Sequence, residues 1–144
     1  SHLQRFSAQQ HFDAVVLGFG TWPGRNFCAP NCSTVRWSLD TFAQQFEKNV
    51  VAHAKVLLRS GKRVVWVGAP AWPSVQREVV PVSNYRLGAF NSLGAKMMAD
   101  IGADVVDYFG ASYPLRYMTS DRVHYVRTAV HYAVTDAVMN VLCR

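Results

Sequence analysis

The sequence predicts an α/β fold in the order β-α-β-α-β-α, with a parallel sheet and helices packed on its faces. Three observations carry that reading. Short apolar, β-branched runs at 13–19, 63–69 and 104–108 alternate with three segments of helical periodicity. The linkers are too short for antiparallel pairing across a helix, which leaves parallel pairing with right-handed crossovers. Half of the residues are apolar and 17% are charged, enough apolar material for a sizeable core.

Each element has its own signal. The first run, Asp13 to Phe19 (DAVVLGF), is continuously apolar, as a strand buried on both faces should be. The helix that follows is punctuated at both ends. Ser38 stands as N-cap, Leu39, Phe42, Phe46, Val50, Ala54, Leu57 and Leu58 form one stripe, and Gly61 stops it. Arg63 to Ala69 (RVVWVGA) repeats the strand character. A second helix starts near Ser83 and carries Leu87, Phe90, Leu93, Met97 and Ile101 before Gly102. Gly88 and Gly94 inside it each cost about 1 kcal/mol relative to Ala, so they are expected to serve close packing. Asp104 to Tyr108 is a shorter strand, and the last helix runs from Val126 to Leu142 with Val130, Ala133, Val134, Ala137, Val138 and Val141 on its apolar stripe. Three strands are few for such a sheet. One edge is therefore expected to await an N-terminal segment or a partner chain.

The length of 144 residues suits one domain, 1–144. No apolar run approaches the roughly 20 residues of a membrane span. Eleven Arg and four Lys against seven Asp and two Glu give a net charge of +6. The basic residues are scattered, and no RNA-binding motif, zinc-finger spacing or basic helix accompanies them, so a nucleic-acid partner is not expected. Cys28 and Cys32 are close enough for a local disulfide in an oxidising compartment, with Cys143 left over. A zinc site is the other reading of that pair, but it lacks a second Cys pair or spaced His pair. Asn31-Cys32-Ser33 is a glycosylation sequon at Asn31. Together these tilt the reading toward the secretory route, with the compartment left open.

In open parallel sheets, function gathers beyond the carboxyl ends of the strands. That rule selects 18–22, 68–72, the loop after Tyr108, and 120–125. The last holds Asp121-Arg122-Val123-His124-Tyr125. An Asp three residues before a His can accept the Nδ1 proton, fix the tautomer and leave Nε2 outward as a general base. Taken alone, the tetrad is better read as a capping Asp and a half-buried His at a helix start.

The wider context changes that balance. A strand ending in Gly20-Thr21, a strand followed by Gly68-Ala69-Pro70, a helix opening Asn84-Tyr85-Arg86 and containing Phe90-Asn91, a strand ending in Asp107, and then Asp121-x-x-His124-Tyr125 occur in that order. The stretch from Asp13 onward resembles the SGNH/GDSL hydrolase superfamily, in its PC-esterase and polysaccharide O-acetyltransferase branch. The resemblance implies a flavodoxin-like three-layer sandwich and ester chemistry on acylated carbohydrates or other small esters, without a cofactor. It implies a Ser–His–Asp triad with His124 as base and Asp121 as its orienting partner, and an oxyanion donor at Gly20 and Thr21. Two departures stand beside it. No Gly-Asp-Ser occurs in the sequence, so the nucleophile would come from an upstream segment. Where many members have Gly-Thr-Asn-Asp, this chain has Gly20-Thr21-Trp22-Pro23. The alternative is a catalytically silent module that serves as a structural or interaction subunit.

Trp22 and Trp72, at strand ends, are candidates for lining a carbohydrate crevice by stacking. Trp37 fits core or lid packing at least as well. Ser74 and Ser112 are expected to be ordinary loop serines; the elbow-like Gly110-Ala111-Ser112 lacks its final Gly. His53 should lie on a helix flank, and His131 at a surface or packing position. No Gly-rich phosphate loop follows any strand, which argues against a nucleotide binder.

Overall fold

The computed structural model describes residues 12–18, 38–72, 84–118, 125 and 128–144. Strands β1 (Ala14–Gly18), β2 (Arg63–Val67) and β3 (Asp104–Val106) form a parallel sheet in the order β1-β2-β3. Val15 pairs with Val64, Leu17 with Trp66, and Trp66 with Val105. Because side chains alternate along a strand, these residues share one face. That face meets helices α1 (Leu39–Phe46), α2 (Ala52–Arg59) and α3 (Asn84–Asp100). The core between them contains Phe42, Phe46, Val51, Val64, Trp66 and Phe90. Phe42 stacks on Phe90 at 4.6 Å, and Phe46 meets Trp66 edge-on at 5.9 Å.

The opposite face is covered by α5 (Ala129–Leu142), which packs on β2 and β3. Val65, pointing that way, is fully buried. Arg63 ties the layers together: Nη1 donates to the Leu142 carbonyl at 3.1 Å and Nη2 to Asp104 Oδ2 at 2.9 Å. On β1, Val16 points to the same face but stays 45% exposed. Among the described residues β1 is thus an edge strand whose second face is incompletely covered.

Local punctuation follows the sequence closely. Ser38 Oγ accepts the Thr41 N–H at 3.0 Å. Gly61 (φ 77°) and Gly102 (φ 86°) adopt the left-handed conformation. Each closes its helix with paired bonds, Lys62 N–H to Leu57 O and Gly61 N–H to Leu58 O in α2, Ala103 N–H to Met98 O and Gly102 N–H to Ala99 O in α3. The two interior glycines are close-packing positions: a β-carbon at Gly94 would lie 3.1 Å from Trp66, and one at Gly88 would lie 3.1 Å from Phe109.

The stripes differ in detail. A π turn (Glu47–Val51) separates α1 from α2, so the buried series runs Phe42, Phe46, Val51, Ala54, Leu57. The wider turn brings Val51, rather than Val50, beneath the core. Leu39 is 47% exposed, because it stands at the first helical position, ahead of the Phe42–Phe90 stack. In α3 Met98 is fully buried and Met97 only partly, since Gly94 and Met98 continue the four-residue ridge of Leu87, Phe90 and Asn91. The last helix begins at Ala129, capped by Thr128, and Ala133 is exposed because α5 covers the sheet with one narrow face. An element absent from the sequence prediction, α4 (Tyr108–Ser112), follows β3 and runs into a 3₁₀ turn (Tyr113–Leu115). Asp107 caps it by accepting the Gly110 N–H at 2.8 Å.

Candidate functional site

The carboxyl rim of the sheet is built around the segment 68–72, which leaves β2. Every backbone N–H in it has an acceptor, save at Pro70, which has no N–H. Gly68 N–H donates to Val106 O at 3.3 Å. Ala69 N–H donates to Asn91 Oδ1 at 2.7 Å, Ala71 N–H to Ser112 Oγ at 2.7 Å, and Trp72 N–H to Asn84 Oδ1 at 2.6 Å. Tyr125 closes the ring, its hydroxyl donating to Ala71 O at 2.9 Å. Four side chains from α3, α4 and the segment before α5 therefore grip one loop. Gly68 is required there, because a β-carbon would collide with Asn91 Oδ1.

Asn91 is the centre of this clamp. Its Nδ2 donates to Leu87 O at 2.9 Å, which fixes the amide orientation, and the residue is 8% exposed. Exchange for leucine leaves the buried Ala69 N–H without an acceptor. Asn91→Leu is expected to lower stability by about 1–3 kcal/mol, read as a shifted urea midpoint at constant slope.

Tyr125 packs edge-on against Tyr108 at 6.2 Å and is 2% exposed. Burial pushes its phenol up to about 12; the neighbouring Tyr108 adds to the shift and Arg116 opposes it. Burial also raises Tyr108. The folded protein thus holds the Tyr125 proton more tightly than the unfolded chain, whose phenol ionises near 10. This contribution is fully present below pH 10 and is lost as pH climbs toward 12. Tyr125→Phe is expected to flatten that alkaline loss in denaturation midpoints measured from pH 9 to pH 12.

Of the residues singled out from sequence, Trp72 lies on this rim, half-buried, its backbone held at both ends because Asn84 Nδ2 also donates to Trp72 O at 2.9 Å. Gly20, Thr21, Trp22, Cys28, Asn31, Cys32, Asp121 and His124 lie outside the described residues, as do Trp37 and Ser74. Ser112 is not a loop serine. It ends α4, is fully buried, and its hydroxyl donates to Tyr108 O at 2.7 Å. That occupation makes it a brace and removes it as a nucleophile. His53 lies on a helix flank with Nδ1 2.9 Å from Asn49 O, and His131 is exposed. Cys143 is free and exposed. Among the described residues, no group of three His, Cys, Asp or Glu could hold a metal ion, and no helix is long and apolar enough to cross a membrane.

The bracing roles of Asn84, Asn91, Ser112 and Tyr125 escaped the sequence reading. One signal was present: Asn91 interrupts an apolar ridge four residues after Leu87, where a polar side chain must find a buried partner.

No protein-family model matches the chain, and no curated protein matches it. Among solved structures it is similar to LAE5, an alpha/beta hydrolase enzyme from the metagenome of Lake Arreo, Spain, with a TM-score of 0.64 at 18% identity. The match covers 96% of this chain and 64% of that one, so this sequence spans less than two thirds of the neighbour's length. At that identity the likeness shows the fold alone: a parallel sheet flanked by helices.

Proposed function

We propose that this chain is the C-terminal part of an SGNH-type acyl ester hydrolase or O-acetyltransferase. His124 serves as general base, Asp121 orients its imidazole, Gly20 and Thr21 supply the oxyanion contact, and Trp22 and Trp72 hold an acylated carbohydrate or another small ester. The attacking serine comes from a segment outside this sequence. One observation carries the reading: Tyr125, the residue after His124, is buried at the carboxyl rim and hydrogen-bonded to Ala71. This anchor, next in sequence to the proposed base, sits on the rim where parallel sheets gather their chemistry. The hydrolase-type fold is a further support.

The test compares hydrolysis of a generic acetyl ester by the full-length protein and by its His124→Ala variant. Equal rates would end the proposal.

The second reading, a catalytically silent structural or interaction subunit, is favoured by the exposed Val16 on edge strand β1. In it, an added strand or partner covers that edge. A stable, folded monomer of these 144 residues in size-exclusion chromatography would count against obligate docking.

A further inference from the structure

Past α4 and its 3₁₀ turn, Arg116 lies over two tyrosine rings. Its guanidinium carbon stands 4.5 Å from the centre of the Tyr113 ring and 4.4 Å from that of Tyr117. Nη1 donates to Tyr113 O at 2.8 Å and Nη2 to the Tyr117 hydroxyl at 2.7 Å. An arginine has five N–H donors, so three are left without an acceptor among the described residues. Arg116 makes no ion pair with a described carboxylate. Around it, Tyr113, Tyr117 and Met118 are exposed large apolar side chains. Two rings and two hydrogen bonds therefore hold a half-buried cation in one orientation with donors to spare. The cluster adjoins the clamped rim. Ser112, which precedes the turn, accepts the Ala71 N–H, and the Arg116 charge reaches the Tyr125 phenol strongly enough to oppose its upward shift.

We infer that Arg116 receives the carboxylate of a uronic acid in the sugar chain that bears the ester, with Tyr113 and Tyr117 stacking on a sugar ring beside it. The inference rests on the ester reading and names its substrate class. A planar guanidinium fork matches a carboxylate, and the charge on both partners strengthens the hydrogen bonds. Tyrosine offers an apolar ring with a polar tip, which suits the mixed surface of a sugar. A patch of four side chains is small beside the roughly 20–30 residues a side of a stable protein interface. An acidic protein partner is therefore the weaker match.

The test is calorimetric titration of the full-length protein with trigalacturonate, with maltotriose as a neutral sugar chain and triglutamate as an acid without sugar rings. Trigalacturonate is expected to bind at least about tenfold more tightly than either, the gain of one charge-assisted hydrogen bond. Arg116→Gln should remove that advantage, and the wild-type comparison stands even if this variant does not fold. Equal affinity for maltotriose or for triglutamate, or undiminished binding by Arg116→Gln, would overturn the inference. Binding and ester chemistry are read separately. Trigalacturonate binding with hydrolysis indifferent to His124→Ala would leave the acidic-sugar site standing and remove the ester reading. Hydrolysis that needs His124 without trigalacturonate binding would sink the acidic-sugar site alone.

Discussion

Exchange of His124 for alanine in the full-length protein is expected to slow hydrolysis of p-nitrophenyl acetate by about 100- to 10,000-fold, the range a positioned general base contributes. The loss should appear in kcat more than in KM, because the base acts on the proton transferred in the transition state. Asp121→Asn should fall by up to about 10,000-fold, since an amide holds the imidazole in the wrong tautomer. Circular dichroism of each variant separates lost chemistry from lost fold. If His124→Ala keeps its rate while Asp121→Asn loses it, the assigned division of labour is wrong even though an active site exists.

Phe46→Ala is expected to cost about 3–5 kcal/mol, the range for emptying an aromatic core site. Phe46 is 1% exposed, lies 5.2 Å from Phe42 and meets Trp66 edge-on. Its ring tip also lies 3.3 Å from where a β-carbon on Gly94 would stand. Relief by collapse is therefore limited: α3 already touches Trp66 at that glycine, and further approach meets the indole. Against a total of about 5–15 kcal/mol, this loss is a large share. Thermal unfolding should show a midpoint lower by about 10 °C, and Phe46→Leu should recover most of it. A drop of a degree or two would mean that the layer repacks freely, contrary to the close approach at Gly94.

The π turn shows where periodicity stops being informative. From Phe46 a four-residue step reaches Val50, yet Val51 is the buried residue and Val50 only half so. Both are valines, so sequence gives no means of choosing between three-and-four spacing and a single five-residue step. The sheet and the Phe42–Phe90 stack decide it, by fixing where the helix must present its next side chain. Helix α4 was missed for a related reason. Its five residues carry no apolar period, and its stability comes from Asp107 at the cap and Ser112 at the end.

The candidate site divides along the same line. Ser38, Gly61 and Gly102 were legible because a cap or a left-handed glycine acts on atoms a few residues away. The strand runs were legible as unbroken apolar sequence, although only β2 is buried on both faces and β1 leaves Val16 45% exposed. The clamp on 68–72 was not, because Asn91, Ser112 and Tyr125 reach partners 22, 41 and 54 residues distant.

By itself, then, the sequence determined the order of the three strands and the long helices and the helix ends marked by Ser38, Gly61 and Gly102, since each follows from short-range sterics and hydrophobic pattern. Tertiary structure alone decided which polar side chains are spent on holding the rim. A buried hydroxyl or amide must find its partner wherever folding brings one, and that pairing has no local code.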